Sequence, residues 1–533
     1  MRGLHSVKVL LIYPVFPQTF WSYDTLLDLV DLKVLFPPLG LITVAGILPQ
    51  EWDFKLCDRN IRPVTEAEWE WADLVILSAM IVQKQDLIDQ IQEAKKRGKL
   101  VAVGGPYPTS VPNEAQAAGA DFLVLDEGEI TLPLLVEALE KGETSGILRA
   151  TEKPDVTITP IPRYDLLEFD AYDSMSVQFS RGCPFQCEFC DIITLYGRKP
   201  RTKDPQQLLK ELDYLYELGW RRGVFMVDDN FIGNKRNVKR LLKELKVWQA
   251  EHHYPFRFNT EASVDLAQDP ELMDLMVECY FDAVFLGIET PDEESLTLTK
   301  KFQNTRGSLL EAVDTITRHG LRPMAGFIIG FDGEKKGAAD RIIRFVEQAA
   351  IPTAMFGMLQ ALPTTALWDR LEKEGRLFYD GRQDINQRTL MNFIPTRPIE
   401  EIAQEFVDAF WTLYDPEVFL ERTYRCFLKL GAPKATPPAK FPNWKDLRAL
   451  SIIIWRQGVK RKTRWKFWRY LISILRQNPA VWEHYLIVCA HIEHFMVYRT
   501  IVRDDIHGQL QEFKQKQKQL QTTPSLLDSV AHS

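Results

Sequence analysis

The chain is poor in cysteine. Its seven cysteines in 533 residues (Cys57, Cys183, Cys187, Cys190, Cys279, Cys426 and Cys489) are an odd and sparse set, which excludes a disulfide framework. Long apolar runs are also missing. No stretch reaches the ~18 uninterrupted apolar residues of a spanning helix, and the nearest, Tyr485–Tyr498, is broken by His491, Glu493 and His494. The run Val7–Phe16 contains Pro14 and is followed by Pro17 rather than a small-residue cleavage site, so it reads as a buried strand and not as a secretion signal. A cytoplasmic protein with reduced thiols is expected. The net charge of -8 excludes a polycation built for nucleic acid. With 45% apolar and 26% charged residues, the composition is that of an ordinary globular protein and excludes a disordered or collagenous chain. The glycine fingerprint of dinucleotide-binding sheets is absent, since Tyr13-Pro14-Val15-Phe16-Pro17 follows the first strand, and this disfavours NAD. There is no internal repeat.

The first ~140 residues alternate strand and helix patterns, as a parallel α/β sheet requires. Strands are expected at Lys8–Ile12, Phe54–Cys57, Leu74–Ser78, Leu100–Val103 and Phe122–Leu125. The turns after them, such as Gly104-Gly105-Pro106 and Glu127-Gly128-Glu129, would share the carboxyl edge where open α/β sheets bind ligands. The proline-bearing stretch 143–173 reads as a linker. A second alternation has strands at Ser176–Ser180, Gly223–Val227, Phe256–Thr260, Ala283–Gly287, Met324–Ile329 and Ala354–Leu359. Six units fall short of the eight of a complete barrel, so residues 174–396 predict a partial barrel. Residues 397–510 read as helical, and 511–533 as a flexible tail.

Three cysteines fall within eight residues, Cys183-Pro184-Phe185-Gln186-Cys187-Glu188-Phe189-Cys190, directly after the first strand of the second unit. Soft thiolates in this number suit an iron–sulfur cluster. A structural zinc site needs four ligands, and no fourth Cys or His lies nearby. A three-cysteine loop leaves one iron open to bind a substrate or cofactor. The plainer alternatives are three buried thiols or an incomplete zinc knuckle.

This CxxxCxxC spacing, with an aromatic residue before the last cysteine, resembles the radical SAM superfamily. The resemblance implies a 4Fe-4S cluster on Cys183, Cys187 and Cys190, with S-adenosylmethionine on the open iron. It places Phe189 near the adenine, and Asp228 and Asp229, Glu261 and Glu289 at strand ends facing S-adenosylmethionine. Gly326-Phe327-Ile328-Ile329-Gly330 resembles the family's fifth-strand adenine motif. A Rossmann-like domain ahead of such a barrel resembles the cobalamin-binding class of radical SAM enzymes. That implies cobalamin contacts from Pro14, Asn60, Ser78, Gly104, Gly105, Glu127 and Gly128. Where cobalamin domains that ligate cobalt carry DxHxxG, this chain reads Asp58-Arg59-Asn60-Ile61-Arg62-Pro63. Asn60 replaces the histidine, so no imidazole ligand is expected from this loop.

Residues 440–476 hold 11 Lys/Arg and one acidic residue, Asp446, and five of the 13 tryptophans lie between Trp444 and Trp482. The segment is near +10, which leaves the rest of the chain near -18. A membrane-surface patch, a packed helical pair with solvated cations and an RNA-stacking surface all fit this pattern. The C-terminal helices, together with Asp228-Asp229-Asn230-Phe231-Ile232-Gly233-Asn234-Lys235, resemble a radical SAM group that includes hopanoid methylases. The resemblance implies methyl transfer from methylcobalamin to an unactivated carbon of a lipophilic, hopanoid-like small molecule. It also implies a reductase or ferredoxin-type electron donor, while the basic aromatic pattern itself points to peripheral membrane contact through residues 440–482 ahead of a nucleic-acid partner. Rearrangement or cyclisation without methyl transfer, tRNA modification, and a non-catalytic cluster-binding regulator are the competing readings.

Overall fold

The computed structural model describes residues 6–378, 385–435, 437–438 and 444–522. Residues 1–5 of the expected first domain, 379–384 of the barrel segment, the start of the basic segment at 440–443, and 523–533 of the expected tail lie outside the described residues.

The first sheet comprises β1 (Lys8–Tyr13), β2 (Asp53–Asp58), β3 (Leu74–Ser78), β4 (Leu100–Gly104), β5 (Phe122–Val124) and β6 (Gly146–Leu148), all parallel, in the order β2-β1-β3-β4-β5-β6. Its inner strands β3 and β4 are near-continuous apolar runs because both faces are covered, whereas the edge strand β2 carries exposed Asp53 and Lys55. Leu10 and Ile12 pack with Leu87, Ile91 and Ala94 of the helix Lys84–Lys96 on one face, while Val9 and Leu11 join the main core on the other. The order reverses between β1 and β3, a switch point whose crevice opens at the strands' carboxyl ends.

The second sheet comprises β7 (Ser174–Val177), β8 (Gly223–Met226), β9 (Arg257–Ala262), β10 (Phe281–Glu289), β11 (Arg322–Ile329) and β12 (Thr353–Met358) in consecutive parallel order. It is an open, six-stranded partial barrel. The returning helices start on side-chain caps that satisfy their first amides: Asp204, Asn234, Asp269, Ser308 and Thr365 each accept from a backbone N–H of the following turn.

Three expectations are corrected. Residues 143–173 are not wholly linker, because β6 pairs with β5 and extends the first sheet. The first barrel strand ends at Val177 rather than Ser180. The amides of Phe179 and Ser180 donate instead to Asp228, and Ser180–Arg181 forms a short antiparallel ladder with Arg201–Thr202. The expected flexible tail is helical as far as Thr522, in the helix Ile492–Thr522, and Leu510 and Phe513 on it are buried.

The remaining helices, Ile399–Leu413, Pro416–Lys429, Trp444–Trp455, Arg464–Gln477 and Trp482–Ala490, complete the helical extension. It is tied to the first domain by the loop after β1. Phe20, fully buried, packs on Phe410, Tyr414, Phe495 and Tyr498, and its carbonyl meets His494 Nε2 at 3.1 Å. Trp21 reaches the inner face of the barrel, with its ring 5.5 Å from Phe285 and its Nε1 donating to Met355 Sδ at 3.1 Å.

Candidate active site

The carboxyl edges of the two sheets face a shared cavity of about 420 Å³. The first domain contributes Ile76, Ser78, Gly104, Gly105, Glu127 and Gly128, and the barrel contributes Ser176, Gln178, Arg181, Phe225 and Val227. The larger part of the wall is apolar, and no histidine stands among the described residues that line it.

Of the residues predicted to face a corrin, Ser78, Gly104, Gly105, Glu127 and Gly128 line the cavity, while Pro14 and Asn60 stand behind it. Asn60 is fully committed. Its Oδ1 accepts from Phe16 N at 2.8 Å, and its Nδ2 donates to Pro14 O at 3.2 Å and to Asp58 Oδ1 at 2.8 Å. It therefore pins the first two carboxyl-edge loops together. Gln83, which does line the cavity, donates to the same Pro14 carbonyl at 2.6 Å. Gly105 has φ +95°, and a Cβ there would stand 2.3 Å from Ser78 Oγ. Only glycine fits that turn without strain.

The cluster loop leaves β7 through Gly182, whose φ is +92° and whose Cβ would lie 2.8 Å from Gly197 O. Cys183 N donates to the same Gly197 carbonyl at 3.2 Å, and Cys190 N to Cys187 O at 3.2 Å. Cys187 is buried, Cys183 and Cys190 are half-buried, and all three are free thiols. Burial pushes each thiol up, the environment of a soft donor that ionises only on binding metal. Side-chain amides reach two of the sulfurs, Asn230 Nδ2 at 4.0 Å from Cys183 Sγ and Gln303 Nε2 at 3.7 Å from Cys187 Sγ. Among the described residues no three His, Cys, Asp or Glu side chains close on one point as ligands of a single ion do. Thiolates that each take a different iron of a cubane stand further apart than that. Three free soft donors on one loop, two of them with side-chain N–H groups aimed at sulfur, fit such a cluster.

The two adjacent aspartates, predicted to face S-adenosylmethionine, both contact the cluster loop. Asp228 is buried and accepts from Phe179 N at 2.8 Å, Ser180 N at 2.7 Å and Ser180 Oγ at 2.5 Å. Asp229 accepts from Gly182 N at 3.1 Å. Both carboxylates therefore hold the backbone of the cluster loop. Burial pushes Asp228 up to about 7 against these hydrogen bonds, and Asp229 up to about 6. Glu261, at the end of β9, has no hydrogen-bond partner among the described residues, and burial beside Asp229 and Glu289 pushes it up to about 7. Glu289, at φ 65°, forms a buried ion pair with Lys301. Burial works against the Lys301 charge, but Glu289 and the thiols of Cys187 and Cys190 raise its pKa. Lys301 Nζ lies 5.9 Å from the centroid of Phe189, whose ring also contacts Phe331 at 5.8 Å.

One network that the sequence reading missed joins the two cofactor regions. Arg181, two residues before Cys183, pairs with Glu127 at 2.9 Å and with Glu129 at 2.9 Å. Arg201 pairs with Glu127 at 2.7 Å, and Thr159 Oγ1 donates to Glu129 at 2.6 Å. Glu127 and Glu129 are 2% and 3% exposed, so the network is dry. Arg181 sits inside the motif, but only the fold reveals partners more than fifty residues away.

Comparison with known proteins agrees with this architecture. The Radical SAM superfamily matches residues 177–346, a B12 binding domain matches 27–136, and a domain of unknown function (DUF4070) matches 365–508. The chain is 73% identical over 525 residues, 98% of its own length and 98% of the other's, to "Uncharacterized methyltransferase sll1242" of Synechocystis sp.. It is 34% identical over 508 residues, 93% of this chain and 94% of the other, to "Hopanoid C-2 methylase" of Rhodopseudomonas palustris. Solved folds align with it as well. The cobalamin-dependent S-adenosylmethionine radical enzyme OxsB, with aqua-cobalamin and S-adenosylmethionine bound, has a TM-score of 0.60 at 16% identity and covers 96% of this chain and 81% of its own. The radical S-adenosylmethionine methyltransferase TsrM of Kitasatospora setae, with cobalamin and a 4Fe-4S cluster bound, has a TM-score of 0.57 at 17% identity and covers 69% and 78%. The chain belongs to the cobalamin-dependent radical SAM methyltransferases. Its cofactors are a 4Fe-4S cluster, S-adenosylmethionine and cobalamin. Among the described residues no helix is long and apolar enough to cross a membrane.

Proposed function

We propose that this enzyme methylates an unactivated carbon of a lipophilic small molecule of the hopanoid type. One observation carries the reading. The carboxyl edges of the two parallel sheets open on the same mostly apolar cavity, so the protein can exclude water around an apolar substrate. The near full-length similarity to a hopanoid C-2 methylase supports the substrate class. When bound, the cluster and S-adenosylmethionine supply a hydrogen-abstracting radical and methylcobalamin supplies the methyl group.

In this reading Cys183, Cys187 and Cys190 hold the cluster. Asp228 and Asp229 fix the loop that carries them, and Asn230 and Gln303 donate toward sulfur. Phe189, Glu261 and the Glu289–Lys301 pair face S-adenosylmethionine. Ser78, Gly104, Gly105, Glu127 and Gly128 form the wall against which cobalamin lies, with Pro14 and Asn60 shaping it from behind. A reductase or ferredoxin-type protein supplies electrons, and the enzyme works in the cytoplasm against a membrane surface.

The test is anaerobic reconstitution with cobalamin, followed by S-adenosylmethionine labelled in its methyl group and a lipid extract. Label in a hopanoid, with a product heavier by one methylene, supports the reading. Label confined to polar products, or an unmethylated rearranged product, refutes it. Replacing Cys183, Cys187 and Cys190 with alanine abolishes deoxyadenosine formation; continued turnover would refute the assigned cluster site.

A further inference from the structure

The basic, tryptophan-rich segment folds into a helical hairpin, Trp444–Trp455 and Arg464–Gln477, joined by a tight turn with a π-helical stretch at Arg456–Lys460. Its inward side is conventional. Phe467 and Ile474 are fully buried, and the Trp468 indole donates to Gly458 O at 2.9 Å. Arg456 and Arg461 both pair with Glu493, at 3.0 and 2.7 Å, and anchor the turn to the long C-terminal helix.

The outward corner is different. Trp455 and Trp465 are 61% and 74% exposed, and neither indole N–H has a partner among the described residues. Val459 is exposed between them. Lys460, Lys462 and Arg464 alternate with these side chains and have no carboxylate partner among the described residues. Arg464 lies over the Trp465 ring at 5.8 Å. The sequence from Leu447 to Trp482 contains no acidic residue. The face continues along the second helix through exposed Ile472 and Leu475.

A corner on which half-apolar rings, aliphatic side chains and unpaired cations alternate matches the headgroup region of an anionic bilayer. The aliphatic members favour lipid over nucleic acid, since valine and isoleucine give a base nothing to stack on. We propose that the hairpin corner spanning residues 455–465 docks this enzyme on the surface of an anionic membrane. The proposal deepens the lipophilic-substrate reading and rests on it for its purpose. Each cation near such a surface contributes ~1 kcal/mol, about fivefold in partitioning, so Lys460, Lys462 and Arg464 together contribute on the order of a hundredfold.

The test is co-sedimentation of the full chain with vesicles of phosphatidylcholine alone and of phosphatidylcholine with phosphatidylglycerol. Binding is expected only to the anionic vesicles, weakening as salt rises. The triple variant K460Q/K462Q/R464Q should lose on the order of a hundredfold, and W455S/W465S should also bind more weakly. Both should keep the wild-type circular dichroism and cobalamin absorption, because all five positions lie at the surface. No binding to anionic vesicles, equal binding of wild type and triple variant, or displacement from vesicles by RNA at matched charge would overturn the proposal. Labelled-methyl transfer into lipid separates the two claims. Vesicle binding without lipid labelling refutes the substrate reading and leaves docking in place, and lipid labelling with no vesicle binding does the reverse.

Discussion

Replacing Arg181 with glutamine removes the cation that joins the first domain's carboxyl-edge loop to the cluster loop. In the wild type its guanidinium contacts Glu127 at 2.9 Å and Glu129 at 2.9 Å, and both carboxylates are almost wholly buried. Glu127 would keep Arg201, at 2.7 Å, whereas Glu129 would keep only the hydroxyl of Thr159. Burial raises the Glu129 pKa, and Arg181 reverses this to leave it below the usual carboxylate value. Its loss strands a charge without water. Breaking a buried pair from one side costs about 3–5 kcal/mol, while removing both charges costs much less. Arg181→Gln should therefore lower the first transition in urea unfolding, followed by tryptophan fluorescence, by about 3–5 kcal/mol. Adding Glu129→Gln should return roughly half of that, and Arg201→Gln alone should cost less, because Glu127 keeps Arg181. Anaerobic iron content should fall with Arg181→Gln, since Cys183 is two residues away. A cost below about 1 kcal/mol, the size of an exposed pair, would show that water reaches the network and would refute the reasoning. Strict additivity of Arg181→Gln and Glu129→Gln would refute it as well.

Asp228→Asn should lower cluster iron content, because the new amide presents N–H groups where two backbone amides and a hydroxyl need an acceptor; hydrogen bonds to a charged group contribute about 1.5–3 kcal/mol. Gly105→Ala should weaken cobalamin binding about tenfold in an absorbance titration, because a left-handed backbone and the Ser78 hydroxyl both oppose a Cβ; unchanged affinity would place the corrin elsewhere. His484 accepts from Arg257 Nη1 at 2.8 Å, and burial beside that guanidinium pushes it down to about 4. The unfolded chain therefore binds the extra proton between about pH 6.5 and 4. The stabilisation is present above that window and is lost as pH falls through it, by about 3 kcal/mol in all. Comparing thermal melts of the wild type and His484→Gln across this range isolates the effect, and parallel curves would refute it.

The parallel strands were legible because burial on both faces makes them near-continuous apolar runs, and the cysteine spacing was legible because its ligands are local. The sixth strand of the first sheet was not. Gly146–Leu148 is three residues long with Ile147 exposed, so it has neither the length nor the alternation of a strand. The extended last helix was hidden by a polar composition, in which Leu510 and Phe513 are the buried apolar residues near the end among the described residues. In the site, position at a strand end located Asp228, Asp229, Glu261 and Glu289 but did not give their tasks. Asp228 and Asp229 accept from backbone amides of the cluster loop, Glu289 is paired with Lys301, and Glu261 has no hydrogen-bond partner among the described residues. Each outcome depends on a donor brought from another element, which no local pattern encodes. Glu127 was likewise identified by its loop, whereas its partners Arg181 and Arg201 come from the other sheet's domain.

The loop after β1 imposes an order on synthesis. Phe20 leaves the ribosome early, yet apart from the adjacent Trp21 its ring contacts, and its hydrogen-bond partners Gln387 and His494, come from the last third of the chain. At ~5–20 residues per second, about half a minute to a minute and a half separates the emergence of Phe20 from that of the helix that covers it. During that interval the nascent first domain can complete its sheet but must carry Phe20 without the last helix, where a chaperone or a neighbouring nascent chain can reach it. A truncation that stops before Ile399 removes Phe410, Tyr414, Phe495 and Tyr498 together and makes this exposure permanent. Shortened chains should therefore accumulate as aggregates, even when both cofactor-bearing sheets are intact.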